Sequence, residues 1–485
     1  MTSPFDEAKY RALLKGLEAV EILLSEAQTD NDTRRLDNGY FTKDYLKLKY
    51  LSKRWGSLDD YAKQVVCGPF GSTILNDSYV ENGTPMIRPF NIRRMETDHE
   101  NIAYLREVDI AEKGLKVFDQ DTLLFARVGE VGCGILTFDR ATISPNIIAV
   151  QLKNVECNPY YAAVFFNTHY GRLQMEGAVK AVAQPTISTN SIRDLKIPKP
   201  SAIFSKKIET FFKESLKQNI TGYDLYSKAE QTLLRTLGLE NWQPPEALTY
   251  ERKSSNVFAS GRFDAEHFQP KYDHLYRQIK KSGIETRSLG EIILPVMNGF
   301  DCRDFVDEGT PYIRVGDVKK GRIDLDSAFR IPLTADEIGK DISLQIGDVL
   351  FTRKGSFGNA APVWNETKHA VISSEIMLLR LRSEYKANVL PEYLALFLNS
   401  IAGNIQAEKW AHGAAFYSIT QEDLGSFVIP LISKSEQESL CNLIMQSEAA
   451  RKQAHNLLES AKRAVEIAIE ENETVAMAFL KQSQG

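Results

Sequence analysis

Two stretches of the chain repeat apolar residues at intervals of three and four over many turns. After Lys196-Ile197-Pro198-Lys199-Pro200-Ser201, the positions Ile208, Phe212, Leu216, Ile220 and Tyr223 fall on one side, among Lys, Glu and Gln. That is the period of an amphipathic helix. Pro200 with Ser201 is a start signal, and the pattern predicts a helix to Leu237-Gly238, roughly 35 residues or about 50 Å at about 1.5 Å per residue. Val428-Ile429-Pro430 leads into a second such stretch, residues 434–471, in which Ala454, Leu457, Ala461, Ala464 and Ala468 keep the same spacing. A seam of alanines lets helices approach closely, as in a coiled coil. The two stripes are expected to bury each other, with the helices antiparallel. A shorter helix is predicted over residues 7–28 from Tyr10, Leu13, Leu14, Leu17, Val20, Leu23 and Leu24.

Between these helices the texture changes to short β-like runs, such as Pro85-Met86-Ile87-Arg88 and Thr122-Leu123-Leu124-Phe125, separated by glycine-containing turns. These runs occur twice. Gly83-Thr84-Pro85 with Ile87-Arg88 returns 226 residues later as Gly309-Thr310-Pro311 with Ile313-Arg314. At the same offset, Leu124-Phe125, Arg127, Gly129 and Gly132 return as Leu350-Phe351, Arg353, Gly355 and Gly358. Tyr161, Ala163, Phe165 and Asn167 return as Tyr393, Ala395, Phe397 and Asn399, and Arg35-Leu36-Asp37 as Arg262-Phe263-Asp264. An internal repeat of this kind means two similar folded units in one chain. The expected fold is α+β: two similar domains separated by two long antiparallel helices, related as a pseudo-twofold repeat. The expected boundaries are a helical segment at 1–41, a first domain at 42–201, a long helix and loop at 202–261, a second domain at 262–433, and a long helix at 434–485. Trp242-Gln243-Pro244-Pro245 and Ser254-Ser255-Asn256 place a loop over 239–261, because a proline pair cannot continue a helix.

Composition changes this picture little. A hydrophobic fraction of 43% and a charged fraction of 25% are ordinary for a globular protein. No apolar run approaches the roughly 20 residues of a membrane span, and Met1-Thr2-Ser3-Pro4-Phe5-Asp6-Glu7 lacks a secretory pattern, so a cytoplasmic protein is expected. The five cysteines include no Cys-x-x-Cys pair and the seven histidines no His-Glu-x-x-His, which supports neither a disulfide framework nor a metal site. With 59 basic and 64 acidic residues the net charge is −5, which argues against non-specific coating of nucleic acid. DNA binding would need local basic loops.

Two motifs raise the possibility of a methyltransferase. Gly129-Glu130-Val131-Gly132-Cys133-Gly134 has the look of a cofactor loop, and Asn158-Pro159-Tyr160-Tyr161 is similar to the Asn-Pro-Pro-Tyr that holds a target amine. In the second copy these sites read Gly355-Ser356-Phe357-Gly358-Asn359-Ala360 and Leu390-Pro391-Glu392-Tyr393. Only a turn preceded by Arg, and a Pro and Tyr in a helical setting, recur. The glycines do not open a helix in a βαβ unit, and no Gly-x-x-x-x-Gly-Lys-Ser/Thr is present. No catalytic, cofactor-binding or metal-binding residue is therefore assigned.

Candidate DNA contacts lie in polar loops. In the first copy these are Ser72 and Thr73, in a glycine-bounded turn suited to phosphate, then Arg88, Asn91, Arg93, Arg94 and Arg127, and then Lys180, Gln184, Thr186 and Ser188. In the second they are Arg314, Lys319, Lys320, Arg353, Lys354, Ser356, Lys409, His412 and Tyr417. Arginine can fork to guanine edges, and lysine can neutralise phosphate. Arg127 and Arg353 can equally be structural, each paired with a carboxylate. The copies agree where they are apolar or Gly and differ most where they are polar, as one scaffold with two specificities would.

This layout resembles the specificity subunit of Type I restriction-modification enzymes, through the paired Arg-x-Asp, Gly-Thr-Pro-x-Ile-Arg and Leu-Phe-x-Arg-x-Gly-x-x-Gly blocks and the Ile-Pro exits at 197–198 and 429–430. The resemblance implies two target recognition domains, each reading half of a split double-stranded DNA target, with the helices as a ruler. It implies docking of two modification subunits, which bind S-adenosylmethionine and methylate adenine N6 on a flipped base. Restriction subunits with motor and nuclease activity would complete the complex. This chain would be non-catalytic and without cofactor, with S-adenosylmethionine, ATP and Mg on its partners. The helix at 7–28 is a departure: it looks like the second half of the central helix, as if the circular layout were cut elsewhere. A Type IIB-like specificity subunit, a self-sufficient DNA methyltransferase and a protein-binding scaffold are the alternatives.

Overall fold

The computed structural model describes residues 11, 21–28, 40–69, 74, 76–93, 95–97, 99, 102–128, 132–153, 157–179, 186–245, 247–332, 342–355, 358–413 and 417–483. They fall into two compact units, Met1–Gln218 with Gln453–Gly485, and Asn219–Lys452. Each contains one copy of the repeat, and each is α+β.

In the first unit a six-stranded sheet runs in the order Ala62–Cys67, Ile147–Leu152, Leu123–Ala126, Cys133–Ile135, Glu96–Thr97, Ile92–Arg93. A five-stranded sheet holds Thr84–Ile87 parallel to Arg140–Ile143. The second unit has a four-stranded sheet, Met297–Asn298, Ile376–Leu379, Val349–Thr352, Ala360–Pro362, and a three-stranded one in which Thr310–Ile313 lies parallel to Val371–Ile372. The register repeats too. Ile87 faces Ile143 as Ile313 faces Ile372, and Phe125 faces Ile148 as Phe351 faces Met377. The central strand is apolar, save for Thr352 at the end of the second copy, because it is buried on both faces. Leu123 and Phe125 enter one core and Leu124 another, and Val349 and Phe351 are separated from Leu350 in the same way. Period-two alternation between two cores explains the continuous run.

The third repeated block seats a helix on this sheet. Pro159–Phe166 and Pro391–Asn399 are almost wholly buried, and a carboxamide after the first and at the end of the second ties it to a strand. Asn167 Nδ2 donates to the carbonyl of Cys133 at 2.6 Å, and Asn399 Nδ2 to that of Ala360 at 2.7 Å. Each domain is closed by its exit strand: Ile197 pairs antiparallel with Gly56, and Ile429 with Arg287.

The two long helices are Ala202–Thr236 and Lys434–Glu470. Their apolar faces serve the domain cores as well as each other, which differs from the expectation that they mainly bury one another. Phe204, Ile208, Phe211 and Phe212 share a cluster with Tyr160, Tyr161 and Phe165, and also with Leu458, Ala461 and Ala464. In the second unit Tyr226, Ala229, Leu233 and Leu237 share one with Leu440, Ile444 and Tyr393. Ile220, placed on the buried stripe by spacing, is 58% exposed. The buried path runs instead through small residues. Ser215 Oγ donates to the Ala454 carbonyl at 2.9 Å in the first unit, and Ser447 Oγ to the Gly222 carbonyl at 2.6 Å in the second. Ser447 lies 232 residues after Ser215, and Ala454 the same distance after Gly222. The rising and falling numbers make the helices antiparallel.

Of the helix expected over 7–28, most lies outside the described residues; Leu24–Gln28 is helical, but residues 21–23 are not. Within the loop expected over 239–261, Ser254–Ser260 forms a helix, stopped by Gly261 at φ 66°, a left-handed conformation that glycine adopts without strain.

A side chain at Gly222 would place its Cβ 2.7 Å from Arg451 Cγ and 3.1 Å from the Ser447 carbonyl oxygen. Gly222→Leu is expected to destabilise the protein by about 1–3 kcal/mol through overpacking, read as a lower urea midpoint. The same change at exposed Lys228 should leave the midpoint in place.

Candidate nucleic-acid interface

The polar loops are held by the same backbone bonds in both domains. The N–H of Arg127, at the end of the central strand, donates to the Asn146 carbonyl at 2.8 Å, and its carbonyl accepts from Ile187 N–H at 3.1 Å. Arg353 N–H donates to the Glu375 carbonyl at 3.1 Å, and its carbonyl accepts from Ile419 N–H at 3.0 Å. A bridge joins Val128 to Thr186, and another joins Lys354 to Ser418. The structure thus brings Arg127, Thr186 and Ser188 together in the first domain, and Arg353, Lys354, His412 and Tyr417 in the second.

Several of these side chains already have work inside the domain. Ser188 caps the helix Thr189–Asp194, accepting from Ser191 N–H at 3.0 Å. Asn91 is fully buried, and its Oδ1 accepts from Arg88 N–H at 3.0 Å. Asp317 holds Arg314 N–H in the same way at 2.8 Å, and burial lifts its carboxyl above the ordinary value. Asn91 as a DNA contact is therefore corrected to a structural brace. Lys409, half-buried, stands 4.7 Å from the Tyr276 ring centroid and 5.1 Å from that of Trp410, and burial lowers its pKa; it too is engaged within the domain. Lys319 donates to the Gly316 carbonyl, Lys354 stands 3.3 Å from Glu375, and Lys320 is exposed.

His412 is part of a clamp that the sequence showed only as a repeated motif. Arg262 forms a two-pronged pair with Asp264, at 2.8 and 2.9 Å, and donates to the Ala411 carbonyl at 3.1 Å. Its third nitrogen lies 3.2 Å from His412 Nε2, which is 2.7 Å from Asp423. The Arg-x-Asp block thus fastens the loop that carries His412 and Tyr417. Arg35 and Asp37, their counterparts, lie outside the described residues, as do Ser72, Thr73, Arg94, Lys180, Gln184 and Ser356. Arg93 lies in the strand Ile92–Arg93.

Aromatic rings at the surface went unassigned at the level of sequence. The Arg88 guanidinium lies 4.3 Å from the Phe90 ring centroid and that of Arg314 3.6 Å from Phe329; both rings are more than 40% exposed. Phe90 is two residues from its arginine and was legible. Phe329 reaches Arg314 through strand pairing with Tyr312 and was not.

The methyltransferase-like motif has a structural role. Asn158 Oδ1 caps the helix Pro159–Phe166, accepting from Tyr160 N–H at 2.9 Å, and Asn158 Nδ2 donates to Glu209 at 2.9 Å. The carboxamide is thereby spent at both ends. Burial alone would raise the Glu209 carboxyl, but Lys213, Asn158 and Lys206 together hold it down to about 2. Among the described residues no group of three or more His, Cys, Asp or Glu could hold a metal ion, and no helix is long and apolar enough to cross a membrane.

No family model matches the chain. It is 24% identical over 159 residues to the Type I restriction enzyme EcoBI specificity subunit of Escherichia coli, a match that spans 32% of this chain and about a third, 33%, of that relative. Among solved structures, the chain is similar to a Type I restriction-modification S subunit from M. genitalium, with 12% identity, 88% of this chain and 95% of that one covered, and a TM-score of 0.37. It is also similar to the HsdS subunit from Thermoanaerobacter tengcongensis, with 12% identity, 89% and 96% covered, and a TM-score of 0.25. The relatives are of the class that the sequence resembles: specificity subunits of Type I restriction-modification systems.

Glu209 offers a test of the cap. Its pKa is depressed in the fold, so its stabilisation is complete above the ordinary carboxylate value of 4.5 and is lost as pH falls toward about 2. In denaturant titrations at pH 7 and pH 3, Glu209→Gln should lose less stability on acidification than the parent protein. An equal loss would separate Glu209 from the acid response.

Proposed function

We propose that this chain is the DNA sequence-recognition subunit of a Type I restriction-modification complex. Each domain would bind one half of a bipartite duplex target. The chain would dock two adenine-N6 methyltransferase subunits and the restriction subunits, and would itself be non-catalytic. S-adenosylmethionine, ATP and Mg would belong to the partners.

One observation carries this reading: a scaffold built twice to the same hydrogen bonds, with different polar side chains in its loops. Where the first domain has Val128, Thr186 and Asn146, the second has Lys354, Ser418 and Glu375, on the same backbone positions. A catalytic pocket built twice would keep its chemistry and vary its surround. A reader of two half-sites keeps its frame and varies its contacts, because base edges differ in donor and acceptor pattern while the duplex backbone does not. The similarity to the Escherichia coli specificity subunit supports the same assignment.

Exchange of residues 42–201 for the corresponding domain of another specificity subunit should alter one half of the methylated motif in host DNA and leave the other half intact. Sequencing of N6-methyladenine in cells with and without the exchanged gene checks this. An unchanged motif would sink the proposal. Heat from S-adenosylmethionine titrated into the purified chain would instead point to an autonomous methyltransferase.

A further inference from the structure

We propose that Arg127 and Arg353 are phosphate anchors shared by the two half-sites, and that they set the position of each domain on the duplex without reading sequence. The inference deepens the function proposed above and rests on it.

Three observations single out this pair. First, the arginines are the same in both domains, while their neighbours differ: Val128 against Lys354, Asn146 against Glu375, Thr186 against Ser418. A side chain that reads a base must change when the half-site changes. One that does not change serves what both half-sites have in common, and the phosphate backbone is common to every sequence.

Second, the backbone at each arginine is pinned on both sides, by its N–H to the carbonyl of Asn146 or Glu375 and by its carbonyl to the N–H of Ile187 or Ile419. These bonds involve no side chain. The Cα therefore stays in place however the loop side chains vary.

Third, three other basic side chains of the repeated blocks are engaged. Arg88 and Arg314 stack on phenylalanine rings, and Arg262 is held by Asp264. Among the described residues no carboxylate lies within 4.0 Å of the Arg127 or Arg353 guanidinium, which answers the reading of these residues as internal ion pairs. Arg127 is exposed, and its one side-chain hydrogen bond among the described residues is to a neutral sulfur acceptor, 3.5 Å from Nη1 to Cys67 Sγ.

The test uses the complex of this chain with its modification subunits, a duplex carrying the motif mapped by methyladenine sequencing, and a scrambled duplex. For Arg127→Gln and Arg353→Gln, each substitution should weaken binding to both duplexes by a similar factor. It should also make the slope of log affinity against log salt less negative by about 0.9. Arg→Lys at either position should restore the slope, since lysine neutralises phosphate but cannot fork to a base. The methylated motif should stay the same in all variants, and melting temperatures should match the parent. DNA should also slow alkylation of Cys67, read by peptide mass spectrometry.

An unchanged salt slope, or a motif relaxed at one base pair, would overturn the anchor assignment and leave the recognition function standing. If the parent complex bound neither duplex, the recognition function itself would fall, and the anchors with it.

Discussion

A serine hydroxyl bonded to a helix carbonyl on the facing helix is the contact from which the architecture of each unit can be built: Ser215 on Ala454 in one, Ser447 on Gly222 in the other. Two helices approach closely enough for such a bond only where both present small side chains. Ala454 and Gly222 supply that, and the larger apolar residues lie to either side. Once the helices meet there, Phe204, Ile208, Phe211 and Phe212 are available to one domain core, and Tyr226, Ala229, Leu233 and Leu237 to the other. Each domain is thus completed by parts of two helices distant in sequence.

Above this base the domains use one construction. A doubly buried strand separates two cores, a buried helix is tied to the neighbouring strand by Asn167 or Asn399, and the strand ends in an arginine pinned by main-chain bonds. None of these bonds depends on the side chains of the polar loops. Those loops can change without disturbing the frame, which is a physical condition for a scaffold that carries different specificities. The clamp of Arg262, Asp264 and His412 adds a limit: in the second domain part of the loop is given to holding the loop itself.

What could be read from the sequence follows from the range of the interactions. The long helices, the β-rich domains and the repeat were legible because period and repetition are local or self-comparing signals. The fate of Ile220 was not, because spacing alone does not say where a stripe shifts from one core to another. Asn158 was ambiguous, since an asparagine before proline looks the same whether it caps a helix or holds a target amine; its bond to Glu209 resolves the matter. Lys409 and His412 looked like free polar side chains because Tyr276, Arg262 and Asp423 reach them only in the fold.

Net charge misleads for a related reason. The chain carries −5 overall, yet exposed charges more than about 8 Å apart are largely screened at physiological salt. What decides whether a loop cation can meet a phosphate is the acid within reach of it, not the sum over the surface. Lys354 has Glu375 at 3.3 Å, and Arg262 has Asp264 at 2.8 Å. Each of those contacts would have to be given up, or shared, before that cation could meet a phosphate. An arginine with no such partner gives up only its hydration, and it keeps that advantage on an acidic body as well as on a basic one.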